Sequence, residues 1–285
     1  MVRSLRLSVV VEDSVSMENP NLVAKHGLSF LIEAETKDSK RLTLMMDTGP
    51  SPDIMLHNME SMDINPQNID LIVLSHGHYD HTGGLLEVLG KIGRQTLVVA
   101  HPKIFDLKLR NKPILRLIGS PFGFSDVERA GGVMLCARNP VAIGEGIVTS
   151  GEIAHETPLE RVEEFWTVDG GLFVDDAIVD DQALLVNLEN KGLAVITGCA
   201  HAGIINTIRH AQKVMGIDKV YAVIGGFHLA HADDERIAAT IRELVGLNPM
   251  IIRPCHCTGF KAVRQLIEAF GDRCLPLRTG DILRL

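Results

Sequence analysis

Residues 75 to 84 read SHGHYDHTGG and place His76, His78, Asp80 and His81 within six positions, directly after the apolar run IDLIVL. Burying so many ionisable groups together without partners costs several kcal/mol. A divalent cation removes that cost by taking the lone pairs of neutral imidazole and carboxylate, and this donor set suits zinc, iron or manganese. In extended backbone His76 and His78 point the same way, whereas Asp80 and His81 lie where the chain bends into a helix, so two directions imply two ions. Gly83 and Gly84 let the turn approach the site closely.

Further histidines follow other apolar runs: His201 in VITGCAH, His228 in VIGGFH and His256 in IRPCHCTG. Side chains at strand ends converge on one rim of a sheet, so these positions are expected to complete the cluster. His26, His57, His101, His155, His210 and His231 lack such a setting and read as ordinary imidazoles. Cys199 reads first as a small buried hydrophobe and second as a ligand. The C-x-C pair Cys255 and Cys257 lacks the second cysteine pair of a closed zinc site, so both are expected to pack, leaving His256 alone to face the metal.

The elements that must position these residues are strand-length runs: LRLSVVVE, LSFLIEAE, RLTLMMD, IDLIVLS, QTLVVA, ALLVNLE, LAVIT, KVYAVIG and MIIRP. Helical spacing appears in GLLEVLGKIG, AGIINTIRHAQKVMG, DDERIAATIRELVG and TGFKAVRQLIEAFG, the last three ending on a glycine suited to a left-handed cap. Strand-rich hairpins come first, and the last third repeats strand, histidine turn and helix. This order predicts two helix-covered sheets rather than one doubly wound sheet. Residues 101–182 are irregular and read as insertions around the site within a single domain spanning 1–285.

Of 285 residues, 46% are hydrophobic, enough for a substantial core, and five cysteines do not make a disulfide framework. A reducing, cytoplasmic location is the expectation. A formal charge of −8 argues against nucleic acid as a partner, and no run is long enough for a membrane span. Within this acidic chain, residues 103–116 concentrate Lys103, Lys108, Arg110, Lys112 and Arg116, a candidate surface for a small anionic substrate. Residues 156–181 carry Glu160, Glu163, Glu164, Asp175, Asp176, Asp180 and Asp181, expected as a solvated face. Phe165, Trp166 and Phe173 there, with Phe122 and Phe124 earlier, are expected to wall a pocket.

H-x-H-x-D-H after an apolar strand, MMDTG at 45–49 and the later strand-end histidines resemble the metallo-β-lactamase-fold superfamily. The resemblance implies an α/β (α+β) four-layer αβ/βα sandwich with two divalent ions, zinc foremost with iron or manganese as alternatives, at one edge between the sheets. It implies His76, His78 and His201 around the first ion, and Asp80, His81 and His256 around the second. Asp47 matches the structural aspartate that supports the metal loop. The pattern's further aspartate at the second ion has no match at a strand end here, which leaves Cys199 and His228 as candidates.

The chemistry implied is metal-dependent hydrolysis of a small substrate by an activated hydroxide, with Asp80 and His228 as candidate catalytic residues. TGCAHAGIINTI, IGGFHL and PCHCTG also resemble a subgroup that includes archaeal dihydropteroate-synthase-like pterin enzymes, so C–N bond formation by a transferase is the alternative reading. A non-catalytic metal-binding protein is the third.

Overall fold

The computed structural model describes residues 1–162 and 164–285, so Glu163 of the acidic stretch lies outside the description. The apolar runs of the first part form β1 (Val2–Val11), β2 (Ser29–Thr36), β3 (Arg41–Met46), β4 (Leu71–Val73) and β5 (Thr96–Ala100). Shorter strands follow: β6 (Leu109–Arg110), β7 (Arg116–Leu117), β8 (Gly132–Cys136), β9 (Val141–Gly144), β10 (Ile147–Thr149), β11 (Phe165–Asp169) and β12 (Leu172–Asp175). The last third supplies β13 (Ala183–Leu188), β14 (Gly192–Thr197), β15 (Val220–Gly226), β16 (Ile251–Cys255) and the terminal β17 (Ile282–Arg284).

These runs are continuously apolar because both faces of each strand are buried. In β3, Leu44 and Met46 enter a central core while Met45 faces the other way. In β13, Leu184, Val186 and Leu188 join that same central core, whereas Ala183 and Leu185 face the opposite side. The outer faces are covered by helices: α1 (Pro52–Ser61) and α3 (Leu85–Ile92) on one side, with α5 (Ile204–Met215), α6 (Asp234–Leu247) and α7 (Phe260–Phe270) on the other. Two short helices, α2 (Tyr79–Thr82) and α4 (Phe124–Arg129), complete the set. The result is helices, sheet, sheet, helices, as expected, with each fully buried Leu or Phe contributing roughly 1.5–3 kcal/mol.

The separation into two sheets needs one correction. Hydrogen bonding runs unbroken through β16-β15-β14-β13-β1-β2-β3-β4-β5-β8. Its seam, however, is the single parallel pair Val2↔Leu188, so the path folds at a corner and its halves stack as two layers. The helix ends also differ in detail. α6 runs through Gly246 and stops at Asn248, which adopts the left-handed conformation (φ 50°, ψ 51°). α1 was not marked by periodicity, because it buries only Met55, Asn58 and Met59.

The direction of the strands decides where the site forms. β14, β15 and β16 are parallel to one another, as are β3, β4 and β5, and β1 runs antiparallel to the intervening β2. The carboxyl ends of β1, β3, β4, β14, β15 and β16 therefore gather at one rim. β13 is antiparallel to β14, so its beginning lies there too.

Residues 101–182 carry more regular structure than loops. β8 extends one layer beside β5, β9 and β10 extend the other beside β13, and β12-β11-β6-β7 form a separate four-stranded sheet. The strands escaped the sequence reading because most are two to five residues long and half exposed. The basic and acidic stretches pair with each other here. Lys108, 2% exposed, donates to Asp180 at 2.6 Å and Asp176 at 3.2 Å, and Lys112 reaches Glu164 at 3.3 Å. Burial opposes the charge on Lys108, but Asp180 and Asp176 outweigh it and raise its pKa. The expectation of a solvated acidic face fails at Glu160, Asp180 and Asp181, all buried. Opposite charges some seventy residues apart gave no local sign of pairing.

Asp180 also accepts from the Gly77 N–H at 2.8 Å, so this ion pair fastens the small sheet to the histidine loop. Lys108→Met leaves Asp180 buried without its counter-charge and is expected to cost about 3–5 kcal/mol in urea unfolding. A loss under about 1 kcal/mol contradicts the anchoring role.

Candidate metal centre

Three imidazoles form the first donor group. Loop residues after β4 supply His76 and His78, and the turn after β14 supplies His201. His76 Nε2 lies 2.9 Å from His78 Nδ1 and 3.2 Å from His201 Nε2. All three are buried, and burial together with their mutual repulsion holds His76 and His201 well below the usual histidine pKa. Burial likewise lowers His78 to about 3. They are neutral bases at pH 7.

The second group stands beside them. His81 Nε2 is 3.3 Å from His256 Nε2, and Asp80 Oδ2 lies 3.4 Å from His256 Nε2 and 3.7 Å from His81 Nε2. Burial disfavours charge on Asp80, but His81 and His256 outweigh it and hold its carboxyl far below the usual carboxylate range.

Hydrogen bonds behind the rings determine which nitrogens face inward. Asp47, just past β3, accepts from Ser75 N–H and Ser75 Oγ, each at 2.7 Å, and lies 2.7 Å from His81 Nδ1. His81 Nδ1 therefore carries the proton, and its Nε2 presents a lone pair. Ser75 Oγ, having given its proton to Asp47, accepts from His76 Nδ1 at 3.0 Å, so His76 Nε2 is a lone pair as well. Asp13, beyond the end of β1, does the same for His256 Nδ1 at 2.8 Å. A single carboxylate thus sets one ligand in each group.

Lone pairs facing at such distances, as at His81 Nε2 and His256 Nε2, repel unless a cation or a proton lies between them. Two ligand nitrogens at about 2.0–2.1 Å from one tetrahedral ion stand about 3.3 Å apart. The 2.9–3.3 Å separations fit that requirement. In the second group a proton is the alternative: burial opposes it, but Asp13 and Asp80 push the pKa of His256 well up. Positive charge is demanded at this spot in either case.

The rim holds its residues under strain. Asp47, Ala200, His228 and His256 have φ of 60°, 55°, 48° and 50°, a left-handed conformation costing of order 1–3 kcal/mol for such residues. Gly198 permits a close approach, since a Cβ there would lie 2.1 Å from Ser75 Oγ. Phe165 covers the first group, its ring centroid 5.4 Å from His78 and 5.2 Å from His201. The half-buried His228 ring lies 4.2 Å from that of His201.

All the metal positions expected from sequence, His76, His78, Asp80, His81, His201 and His256, lie together here, with His228 adjacent. Cys199, expected first as packing, has its Sγ 3.2 Å from His81 Nε2. Cys257, also expected to pack, sits with Cys199 and His256 in a set whose donor atoms are all within 4.8 Å of one another, because the 3-10 turn after β16 swings it inward. Cys255 is core, as expected. His26 is corrected too: its Nε2 lies 3.4 Å from Asp80 and its Nδ1 2.9 Å from Asp13. Asp13 was legible in principle, since it follows an apolar strand as Asp47 does, whereas His26 is brought in by a loop. Phe122 and Phe124 pack on Phe105 instead of walling the site.

A family model described as the metallo-beta-lactamase superfamily matches residues 24–181. The chain belongs to the metallo-beta-lactamase superfamily. It is 37% identical, over 99% of its length and 97% of the relative's, to the 7,8-dihydropterin-6-methyl-4-(beta-D-ribofuranosyl)-aminobenzene-5'-phosphate synthase of Methanocaldococcus jannaschii. An uncharacterized protein of the same archaeon is 32% identical over 86% of this chain and 88% of its own. Among solved structures, a metal-dependent hydrolase of the beta-lactamase superfamily superposes with a TM-score of 0.82 at 27% identity, covering 98% of both chains. No helix among the described residues is long and apolar enough to cross a membrane.

Replacing the shared carboxylate tests this superfamily centre. Asp47→Asn is expected to weaken metal binding about 10–100-fold in chelator competition and to disturb both donor groups, because it releases both His81 and, through Ser75, His76. Asp13→Asn is expected to disturb the second donor group only.

Acid should act in a defined direction on metal-free protein. His78 titrates at about 3 folded against an ordinary 6.5, so the unfolded chain binds the extra proton between these values. Its contribution to stability is therefore lost as pH falls from 6.5 towards 3. His76 and His201 act in the same sense, and His256 opposes them. A melting temperature that rises on acidification through this window contradicts a neutral triad.

Proposed function

We propose that this chain is a metal-dependent pterin-type transferase, joining the 6-methylene of a dihydropterin to an aminobenzene ribose phosphate. The observation that carries this reading is the end-to-end similarity to the archaeal synthase at 37% identity. The aryl amine nitrogen attacks the methylene carbon of a dihydropterin pyrophosphate, the C–N bond forms, and the C–O bond breaks with its electron pair leaving on pyrophosphate.

Divalent ions held by His76, His78 and His201 and by Asp80, His81 and His256 would supply Lewis-acid stabilisation of the leaving oxygens. The half-buried His228 takes the proton lost from the amine, and Phe165 shields the first donor group from water. With Lys108, Arg110 and Lys112 committed to acidic partners, the exposed Lys103 and Arg116 are the members of the basic stretch left to meet an anionic substrate.

Hydrolysis is the second reading, favoured by the close superposition on a metal-dependent hydrolase of the superfamily. On the same scaffold water would replace the amine.

Pyrophosphate release from dihydropterin pyrophosphate, measured with and without the aminobenzene ribose phosphate, separates the two. Release that requires the amine supports the transferase, and equal release without it favours hydrolysis. Metal-loaded protein that turns over neither rejects both for this substrate. Arg116→Glu is expected to raise KM for the ribose phosphate several-fold with little change in kcat.

A further inference from the structure

Asp80 is the only anionic side chain among the six expected ligands, so two dications in this buried rim would share one anionic ligand, with Asp47 and Asp13 acting only through His81 and His256. Among the described residues Cys199 is placed to supply a second. Its Sγ is 3.2 Å from His81 Nε2 in the second group, and it forms a donor set with His76 and His81 whose atoms all lie within 4.8 Å of one another. The same sulfur belongs to a set with His201 and His228 and to another with His256 and Cys257. The sulfur is thus within reach of donors in both groups. Among the described residues the Asp80 carboxylate, by contrast, pairs with His26, His81 and His256 and with no histidine of the first group, and Asp181 is turned to the Ala202 N–H at 3.0 Å.

We infer that Cys199 bridges the two ions as a thiolate. This rests on the dinuclear reading of the site and adds to it the ligand that joins the two halves. On loading, the S–H bond of Cys199 is lost, its proton passes to solvent, and sulfur lone pairs go to both ions without any change of oxidation state. Sulfur is suited to this because one thiolate carries several lone pairs and binds zinc at about 2.3 Å. Cys257 is the competing thiol: its S–H meets the Cys199 carbonyl at 3.4 Å, and it shares a donor set with Cys199 and His256.

The test uses the full chain loaded with cobalt(II) or zinc. Cobalt-loaded wild type is expected to show a near-ultraviolet thiolate-to-metal charge-transfer band, kept in Cys257→Ser and lost in Cys199→Ser, which still binds cobalt through the three histidines. A band that survives in Cys199→Ser, or that disappears only in Cys257→Ser, overturns the inference. X-ray absorption of zinc-loaded wild type needs no variant to fold: about one sulfur per zinc at about 2.3 Å is the bridging result. About half a sulfur per zinc would make Cys199 a terminal ligand and overturn the bridge, as would none. Wild type that binds fewer than two ions rejects the dinuclear reading itself, a failure distinguishable from two ions bound without sulfur.

Discussion

The carboxylate of Asp47 is the constraint on which the site depends. It is fully buried and accepts from the backbone and hydroxyl of Ser75 as well as from His81. Without it neither His76 nor His81 has a fixed tautomer, and the inward nitrogens lose their defined lone pairs. Fixing the rings before any ion arrives means that little ordering entropy remains to oppose binding. The cost is borne by the fold, which holds Asp47, Ala200, His228 and His256 in left-handed backbone around the rim.

The layers make that strain sustainable. Strands buried on both faces, such as β3, β13 and β14, tie the rim to a central core and to two helix-covered cores at once. Loop ends carried by such strands have little freedom to relax, so paired imidazoles can be held near 3 Å apart. The added sheet of β6, β7, β11 and β12 works from the other side. Through Lys108 and Asp180 it clamps the Gly77 amide, and through Phe165 it covers the first donor group. The charges expected to greet a substrate instead serve largely to hold this cover in place.

The four-layer class, the nine apolar strand runs, the histidine-bearing turns and the convergence of six donor side chains were legible because each depends on short-range information: an apolar run, a turn, a donor at its end. Cys257, His26, Asp13 and Asp181 were less legible. Asp181 precedes β13, and only the antiparallel pairing with β14 brings the start of that strand to the rim. Cys257 faces inward through one 3-10 turn, whose rotation cannot be inferred from a C-x-C spacing.

By itself the sequence determined the chemistry available to this protein, because imidazole and carboxylate crowded into SHGHYDHTGG require a cation whatever surrounds them. Tertiary structure alone decided how those donors are divided and oriented. Which nitrogen of His76, His81 and His256 faces inward is set by Asp47 and Asp13, both on other segments, with Ser75 relaying Asp47 to His76. It likewise decided that Cys199 lies between the two groups and that the basic and acidic stretches neutralise each other. Such outcomes depend on distances between residues far apart in the chain, and local patterns of residue type carry no record of them.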